Sequence, residues 1–430
     1  MTGGFKGSGI ARAFRHRDFA IYSAASGISN IGMWVMRIGI GIGWFTWELT
    51  HSGAWLGAIV AAQALPSIIL VPFAGALADR FDRIMILRLT QLGSLILSAG
   101  IAAMILLDMV NIYVLAGYAF AHGIVGTFGI PARVTIGPNL VPKEDISVAI
   151  AVSSVVFGLA TFIGPAVAGL IINWIGIGYT FALNSLTFLI MYFALGMISL
   201  ARTENKESGS SLWSDVVDEV RYVAGHGGIL PVIILTISTA VLLRPLTELL
   251  PGFADVIFGR GAEGLAAMMS AFGIGGMAAS LWLANRNRIE GTTTILLLGT
   301  ATSGVLTAVF ASTDSFAAAL AIMVVLGAAG SATMNGAQIL IQNAVEGSMR
   351  ARVMSLYSFN YRAAPALGAM AMGGASTVVG LQFPVAAGAL LLLAIWYWVF
   401  LRRRRLRQAL ETGGGAPLEA RPKVEESPAE

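Results

Sequence analysis

Few ionisable side chains fall inside the long apolar runs of this chain, and those few bound the chemistry it can perform. Arg37, Arg244, Glu248 and Arg362 each lie within a stretch of mostly apolar residues. On insertion scales a charge there costs ~2.5 to 3.5 kcal/mol at the centre of a membrane helix, so such groups usually face a water-filled path or a partner. Arg37, near Met33, Trp34 and Trp44, is the deepest by sequence, and it either binds an anionic group of a substrate or pairs with a carboxylate. Glu248 follows Arg244 by four residues, so the two share a helical face and are expected to neutralise each other. The functional alternative makes Glu248 a proton carrier, because an apolar cavity favours the protonated form of a carboxyl group. Glu48 is a second such carboxylate, but its place at the end of its run favours a solvated role. Asn184, Asn335, Gln338, Gln342 and Asn360 either line a polar path or make interhelical hydrogen bonds, and Gln338 and Gln342 lie one turn apart. His122 either titrates or packs, and Arg133, just after Pro131, is expected near one mouth of that path.

Other chemistries find no residues to carry them. The chain has no cysteine, and His16, His51, His122 and His226 are scattered, so neither a metal cluster nor a cofactor is expected. No Gly-x-x-x-x-Gly-Lys-Ser/Thr loop is present, which leaves an ion gradient as the expected energy source. No group of His, Asp and Glu at catalytic spacing points to an enzyme, and the short loops leave little room for a receptor's sensory domain. No nucleic-acid partner is expected.

The elements that must hold these residues are membrane helices. Hydrophobic residues make up 56% of the chain and charged residues 12%, and the mean hydropathy is +0.78. Ordinary globular domains carry roughly a quarter charged residues. A bilayer crossing needs ~20 mostly apolar residues, and about twelve stretches qualify, beginning near Phe19, Trp55, Ile84, Ile112, Val148, Tyr179, Ile229, Gly264, Thr292, Phe316, Val353 and Phe383. The N-terminal arm is basic, with Lys6, Arg12, Arg15 and Arg17, and shows no short apolar core with a cleavage site, so the first span is expected to be retained. Of the 27 Lys and Arg, 22 fall on the side shared by the termini, which predicts that both termini are cytoplasmic.

Residues 201–227 interrupt the apolar pattern. Ala201 to Ser211 is polar, after which Leu212, Val216, Val220 and Val223 recur at helical spacing, as in a linker that ends in an amphipathic surface helix. The expected organisation is an all-α integral membrane protein of about twelve helices in two pseudo-symmetric six-helix halves, 1–200 and 228–408, with the linker between them and a disordered cytoplasmic tail over 409–430. At an offset of 204 residues, Asn139, Val141, Gly164 and Gly169 match Asn343, Val345, Gly368 and Gly373. Repeats flanking a central linker are a transporter pattern, in which the substrate site forms between the repeats. The arginines of Arg402 to Arg407 serve either as a topology anchor or as a contact for anionic lipid.

Between the second and third apolar runs stands Gly75-Ala-Leu77-Ala-Asp79-Arg80-Phe-Asp-Arg83, which packs four charges into a short turn. This loop resembles the Gly-x-Leu-Ala-Asp-Arg-x-x-Arg signature of the major facilitator superfamily, departing from it at Asp82, where glycine is common, and at Ile84, where a further basic residue often follows. Trp47 to Gly53, Gln63 to Pro66, Pro131 to Arg133 and Gly164 to Gly169 resemble the drug- and siderophore-exporting branch that includes macrolide efflux and enterobactin exporters. The resemblance implies that Asp79 and its loop stabilise an outward-open state. It also implies that Gly164, Pro165 and Gly169 form an antiporter-like motif, although Ala160 and Ala168 replace glycines of the full pattern. The function expected is secondary active transport, as proton-coupled export of a small amphiphilic molecule across a cell (inner) membrane. An uptake symporter is the alternative within transport, and a non-transporting receptor or embedded enzyme the alternative outside it.

Overall fold

The computed structural model describes residues 12–36, 41–199, 221, 223, 225–286, 288–345 and 347–411. Within its helices the side chains of Gly75, Asp79, Arg80, Asn360 and Arg362 lie outside the description, as do all of Arg37 and most of the expected linker.

The described chain is helical. In chain order the first half consists of α1 (Arg17–Val35), α2 (Gly41–Thr50), α3 (Gly53–Arg80), α4 (Arg83–Leu106), α5 (Ile112–Asn139), α6 (Ile146–Ile175) and α7 (Gly178–Gly196). The second half consists of α8 (Ile229–Leu242), α9 (Pro245–Gly252), α10 (Gly261–Asn285), α11 (Thr292–Ala311), α12 (Phe316–Ala344), α13 (Gly347–Val379), α14 (Gln382–Phe400) and a short α15 (Arg403–Glu411). Ten segments of this set are long and apolar enough to cross a membrane. Two further crossings complete the count: α1 with α2, and α13, of which Ala363–Val379 is the apolar part. The end of the bundle at which α1 begins is the near end below, and the opposite end is the far end.

Local chemistry sets several helix boundaries. Asp82, the departure from the signature loop, is the N-cap of α4, and its Oδ1 accepts a 2.9 Å hydrogen bond from the Met85 amide. The side chains of Asn111 and Ser315 cap α5 and α12 in the same way, Asn111 accepting from the amides of Tyr113 and Val114 and Ser315 from that of Ala318, orphan donors of a first turn. Gly176 ends α6 at φ +99, a conformation that costs a side chain-bearing residue much more. Helix α1 ends at Val35 with Met36 as its C-cap, and α2 begins at Gly41, the residues between them lying outside the description. The seventh span is divided, since Pro245 has no amide hydrogen to continue α8 and instead opens α9 at its first turn.

The two halves repeat one packing plan. In the first half α1 packs on α6 and α7, α3 on α5, and α4 on α5 and α7. In the second half α8 packs on α13 and α14, α10 on α12, and α11 on α12 and α14. The two most extensive contacts between the halves, α3 with α13 and α6 with α10, are related by the same symmetry. The matched glycines show why the repeat persists. Gly164 lies against Trp34 of α1, and Gly368 lies against Val241 of α8 and Pro245 of α9, so each admits its own half's first span. Gly169 lies against Ala266 of α10, and Gly373 against the backbone of Gly53 at the start of α3, so each admits the other half. At all four positions a Cβ would collide with the neighbour, which leaves glycine as the fitting residue.

The near end carries two polar ties outside the membrane spans. Asp145, just before α6, accepts a 2.6 Å hydrogen bond from Arg12 Nε and stands 3.3 Å from His16 Nε2. Burial raises the pKa of this carboxyl group, but the hydrogen bonds and charges of Arg12 and His16 outweigh that and hold it below the ordinary carboxylate value. A lowered folded value means that the stabilisation is present above the unfolded pKa, about 3.9, and is lost as pH falls through the folded one. Wild-type protein should therefore lose thermal stability on acidification below about pH 4, whereas Asp145→Asn should melt lower at neutral pH and show a flatter profile in acid. Melting curves of both proteins between neutral and acid pH check this.

At the second tie, Glu411 of α15 accepts 2.8 Å hydrogen bonds from the amides of Gly291 and Thr293, capping α11 from outside its own segment. Burial raises its pKa, but the donors at Gly291 and Thr293 and the charge of Arg407 bring it below the ordinary value. Helical structure thus runs to Glu411, past the expected start of the tail at 409. The expected amphipathic helix at Leu212, Val216 and Val220 lies outside the described residues, while Val223 is buried in the second half's core.

Candidate functional site

At the far end the halves meet through polar and apolar contacts. Trp47 Nε1 at the end of α2 donates a 2.9 Å hydrogen bond to Asp255 Oδ2, in the single π turn Phe253–Ile257 that follows α9. His51 Nε2 stands 4.0 Å from the same oxygen. Asn173 Nδ2 on α6 donates to Glu263 Oε1 on α10 at 2.6 Å. Beneath these polar contacts, Val35, Trp47, Leu56 and Ala168 of the first half join Leu249, Phe253, Leu265 and Met268 of the second in one buried apolar cluster. Deeper still, Val60 of α3 packs on Ala366 and Ala369 of α13. The far end is thus sealed by contacts between halves.

Glu248 lies just inside this seal. Its helix α9 contacts α2 and α3 of the first half as well as α10 and α13 of its own. The side chain is buried, and its Oε2 has no hydrogen-bond partner among the described residues. The expected ion pair with Arg244 is not formed among the described residues; Arg244, at the junction before Pro245, makes other contacts. One turn of helix sets the two residues on a shared face, but that turn is interrupted at Arg244, the N-cap of α9.

The remaining candidates are spread over several helices. Gln338 and Gln342 are both exposed on the near half of α12, a pair of amides one turn apart. Asn335, one turn toward the far end from Gln338, donates to Ser280 Oγ of α10 at 3.1 Å and is a packing contact. Asn184 is buried on α7, with its Oδ1 3.3 Å from Thr187 Oγ1, and both side chains close on Gly32 of α1. It supports the α1–α7 packing and stays out of the interface between halves. Arg133 on α5 donates to Ser29 Oγ of α1 at 2.8 Å, and His122 packs against Tyr118 and Phe188 with Gln63 at 3.4 Å. In the signature loop, Leu77 is exposed and Arg83 partly exposed, on either side of the turn from α3 to α4. Arg37 falls outside the described residues, and Arg362 belongs to α13 by its backbone.

The seal residues Trp47, Asp255, Asn173 and Glu263 were not legible as a site. Their sequence signal is faint: Asp255 and Glu263 are acids beside one short loop, on the side poor in basic residues. The glycine contacts make a second prediction. Gly373→Val would drive a branched side chain into the Gly53 backbone at the far seal. Overpacking of this kind costs about 1–3 kcal/mol, so the variant should favour a state with the far end open. Labelling of a cysteine placed at the far interface, compared in variant and parent, checks this.

Two bundles of six helices related by a repeat, joined along α3–α13 and α6–α10, define a transporter of the major facilitator class. Solved structures carry the same fold. Nucleoside transporter NupG superposes with a TM-score of 0.71 at 12% identity, covering 90% of this chain and 99% of that one. A bacterial homologue of the human lysosomal transporter Spinster, in an inward-facing and unoccupied conformation, superposes with a TM-score of 0.64 at 14% identity, covering 92% and 98%. The family model described as transmembrane secretion effector matches residues 8–422, and the chain belongs to that family. Among relatives, the staphyloferrin A transporter of Staphylococcus aureus is 25% identical over 61% of this chain and 66% of its own length. An uncharacterised transporter of the same superfamily from Bacillus subtilis, YfiS, is 24% identical over 65% of this chain and 68% of its own. This chain is a multi-pass membrane transporter.

Proposed function

We propose that the chain exports a small amphiphilic molecule, a siderophore or drug, in exchange for protons by alternating access. Both termini lie in the cytoplasm in this reading, so the sealed far end is the outer face. The distribution of Lys and Arg supports that orientation. Membership of a secretion effector family supports the outward direction, and the relative that carries staphyloferrin A supports a siderophore.

Glu248 carries the coupling part of the proposal. It is a buried carboxyl group with an oxygen that has no partner among the described residues, on a helix segment that touches α2, α3, α10 and α13. A proton taken from the outer side would reach it when the far seal opens, and would leave inward when the halves rock back. Arg244 and the amides of Gln338 and Gln342 are the groups proposed to meet polar parts of the substrate, with Arg37 and Arg362 as further cations. Asp79, Arg80 and Arg83 act in this scheme as a cytoplasmic latch for the opposite conformation. Moving one charge through 100 mV is worth about 2.3 kcal/mol, which supports roughly a fortyfold concentration ratio at one proton per substrate.

The test is accumulation of staphyloferrin A, a catecholate siderophore and an amphiphilic dye in cells with and without the protein. Export predicts lower accumulation of at least one probe, restored by a protonophore. Higher accumulation with expression would make the chain an uptake symporter.

A further inference from the structure

The near end of the last span carries a group of charges that the transport cycle does not use. Arg402, Arg403, Arg404 and Arg405 follow α14 directly, and all four are exposed. No carboxylate pairs with them among the described residues, whereas Arg407 is engaged by Glu411 at 3.2 Å. The guanidinium of Arg402 lies 3.7 Å from the centre of the Trp398 ring, and that of Arg403 lies 4.2 Å from the centre of the Phe400 ring. Tyr397 and Trp398 are themselves exposed on the last turn of α14. Aromatic rings at the end of a span mark the depth of the lipid headgroups, so these stacked guanidinium groups sit at the headgroup layer.

The helix cannot turn its charges away from that layer. On its other face Leu406 and Leu410 are fully buried in the second half's core. Asn343 Nδ2 donates to the Leu410 carbonyl at 2.8 Å, and Glu411 caps α11. A flexible anchor that only records topology needs none of this fixation.

We propose that Arg402 to Arg405 form a binding ledge for the headgroup phosphates of anionic phospholipids in the leaflet at the near end. The guanidinium fork matches phosphate oxygens in pairs. The rings of Trp398 and Phe400 hold two of the four forks in place before lipid arrives, which lowers the ordering cost of binding. Because α15 is tied to α11 and α12, lipid at the ledge bears on the near end of the second half.

The test uses the full chain purified in a neutral detergent, titrated with phosphatidylglycerol or phosphatidylcholine, with bound lipid counted by native mass spectrometry. Each arginine near an anionic surface contributes about fivefold in affinity. Arg402→Gln with Arg403→Gln should therefore weaken phosphatidylglycerol binding about 25-fold and leave phosphatidylcholine unchanged, while Arg288→Gln, elsewhere at the near end, should leave both unchanged. If the double variant proves unstable by thermal melting, Arg404→Gln with Arg405→Gln, which touches neither ring, serves in its place. Equal binding of the two lipids by wild type, or no loss in either double variant, would overturn the proposal. So would displacement of the lipid by equimolar glycerol 3-phosphate, which would assign the ledge to a soluble anion. Appearance of lipid binding only after truncation at Thr412 would assign it to the chain's own acidic tail.

Discussion

Asp255→Ala is expected to open the far end. The substitution removes the acceptor of the Trp47 indole and the acid beside His51, the polar contacts between halves at that point of the seal. A hydrogen bond to a charged group contributes about 1.5–3 kcal/mol. The Asp255 side chain keeps 37% of its surface exposed, which places the effect at the lower end of that range, about a tenfold shift between conformations. Trp47→Phe keeps the ring in the apolar cluster and removes the donor alone, so it should produce a similar shift. The chain has no cysteine, so Val60→Cys gives a unique thiol on α3, in the part of the interface that packs on α13. An impermeant maleimide applied from the far side should label it about tenfold faster in either seal variant. An unchanged rate in both would show that the apolar cluster closes the far end without help from Asp255.

Glu248→Gln should separate transport from its driving force, and this is the largest effect expected. Glutamine keeps the size and hydrogen-bonding capacity of a protonated glutamate but cannot release a proton. Exchange of labelled for unlabelled substrate across a membrane needs only the rocking of the halves, so it should persist within about threefold of wild type. Accumulation driven by a proton-motive force of about 100 mV should fall from as much as about fortyfold to near equality. A structural role for Glu248 would instead lower exchange and accumulation together. Arg244→Gln provides the comparison: as a proposed substrate contact it should weaken apparent substrate affinity and leave coupling of the remaining flux intact. Proton-driven accumulation that survives in Glu248→Gln would move the coupling site elsewhere, with Glu48 the next carboxylate to test.

The membrane spans were legible because one signal, a run of ~20 apolar residues, dominates every other preference in a bilayer. The repeat was legible at Gly164, Gly169, Gly368 and Gly373, since close helix contact tolerates one residue type and leaves a mark that survives at fixed spacing. Asp82 looked like a departure from a signature and acts as a helix cap, a role that depends on where the turn ends. The pairing of Arg244 with Glu248 followed from regular helical spacing and failed where Pro245 divides the span. The far seal was least legible. Trp47 and Asp255 are 208 residues apart, and a hydrogen bond between halves obeys no local period. The docking of α15 was concealed for a related reason: its arginines dominate the composition, while its position is set by Leu406, Leu410 and Glu411.

The central claim, exchange of substrate for protons, is tested most directly with purified protein in liposomes that contain a pH-sensitive dye. Staphyloferrin A, a catecholate siderophore or an amphiphilic dye of distinct spectrum is added outside, without any imposed pH difference. Substrate then runs inward down its own gradient whichever way each molecule is inserted. Exchange predicts that the lumen turns alkaline as protons leave, and that Glu248→Gln abolishes this signal while substrate still enters. A lumen that turns acid with substrate entry would mean that substrate and proton travel together, and entry with no pH change in the wild type would mean that protons do not drive this transporter.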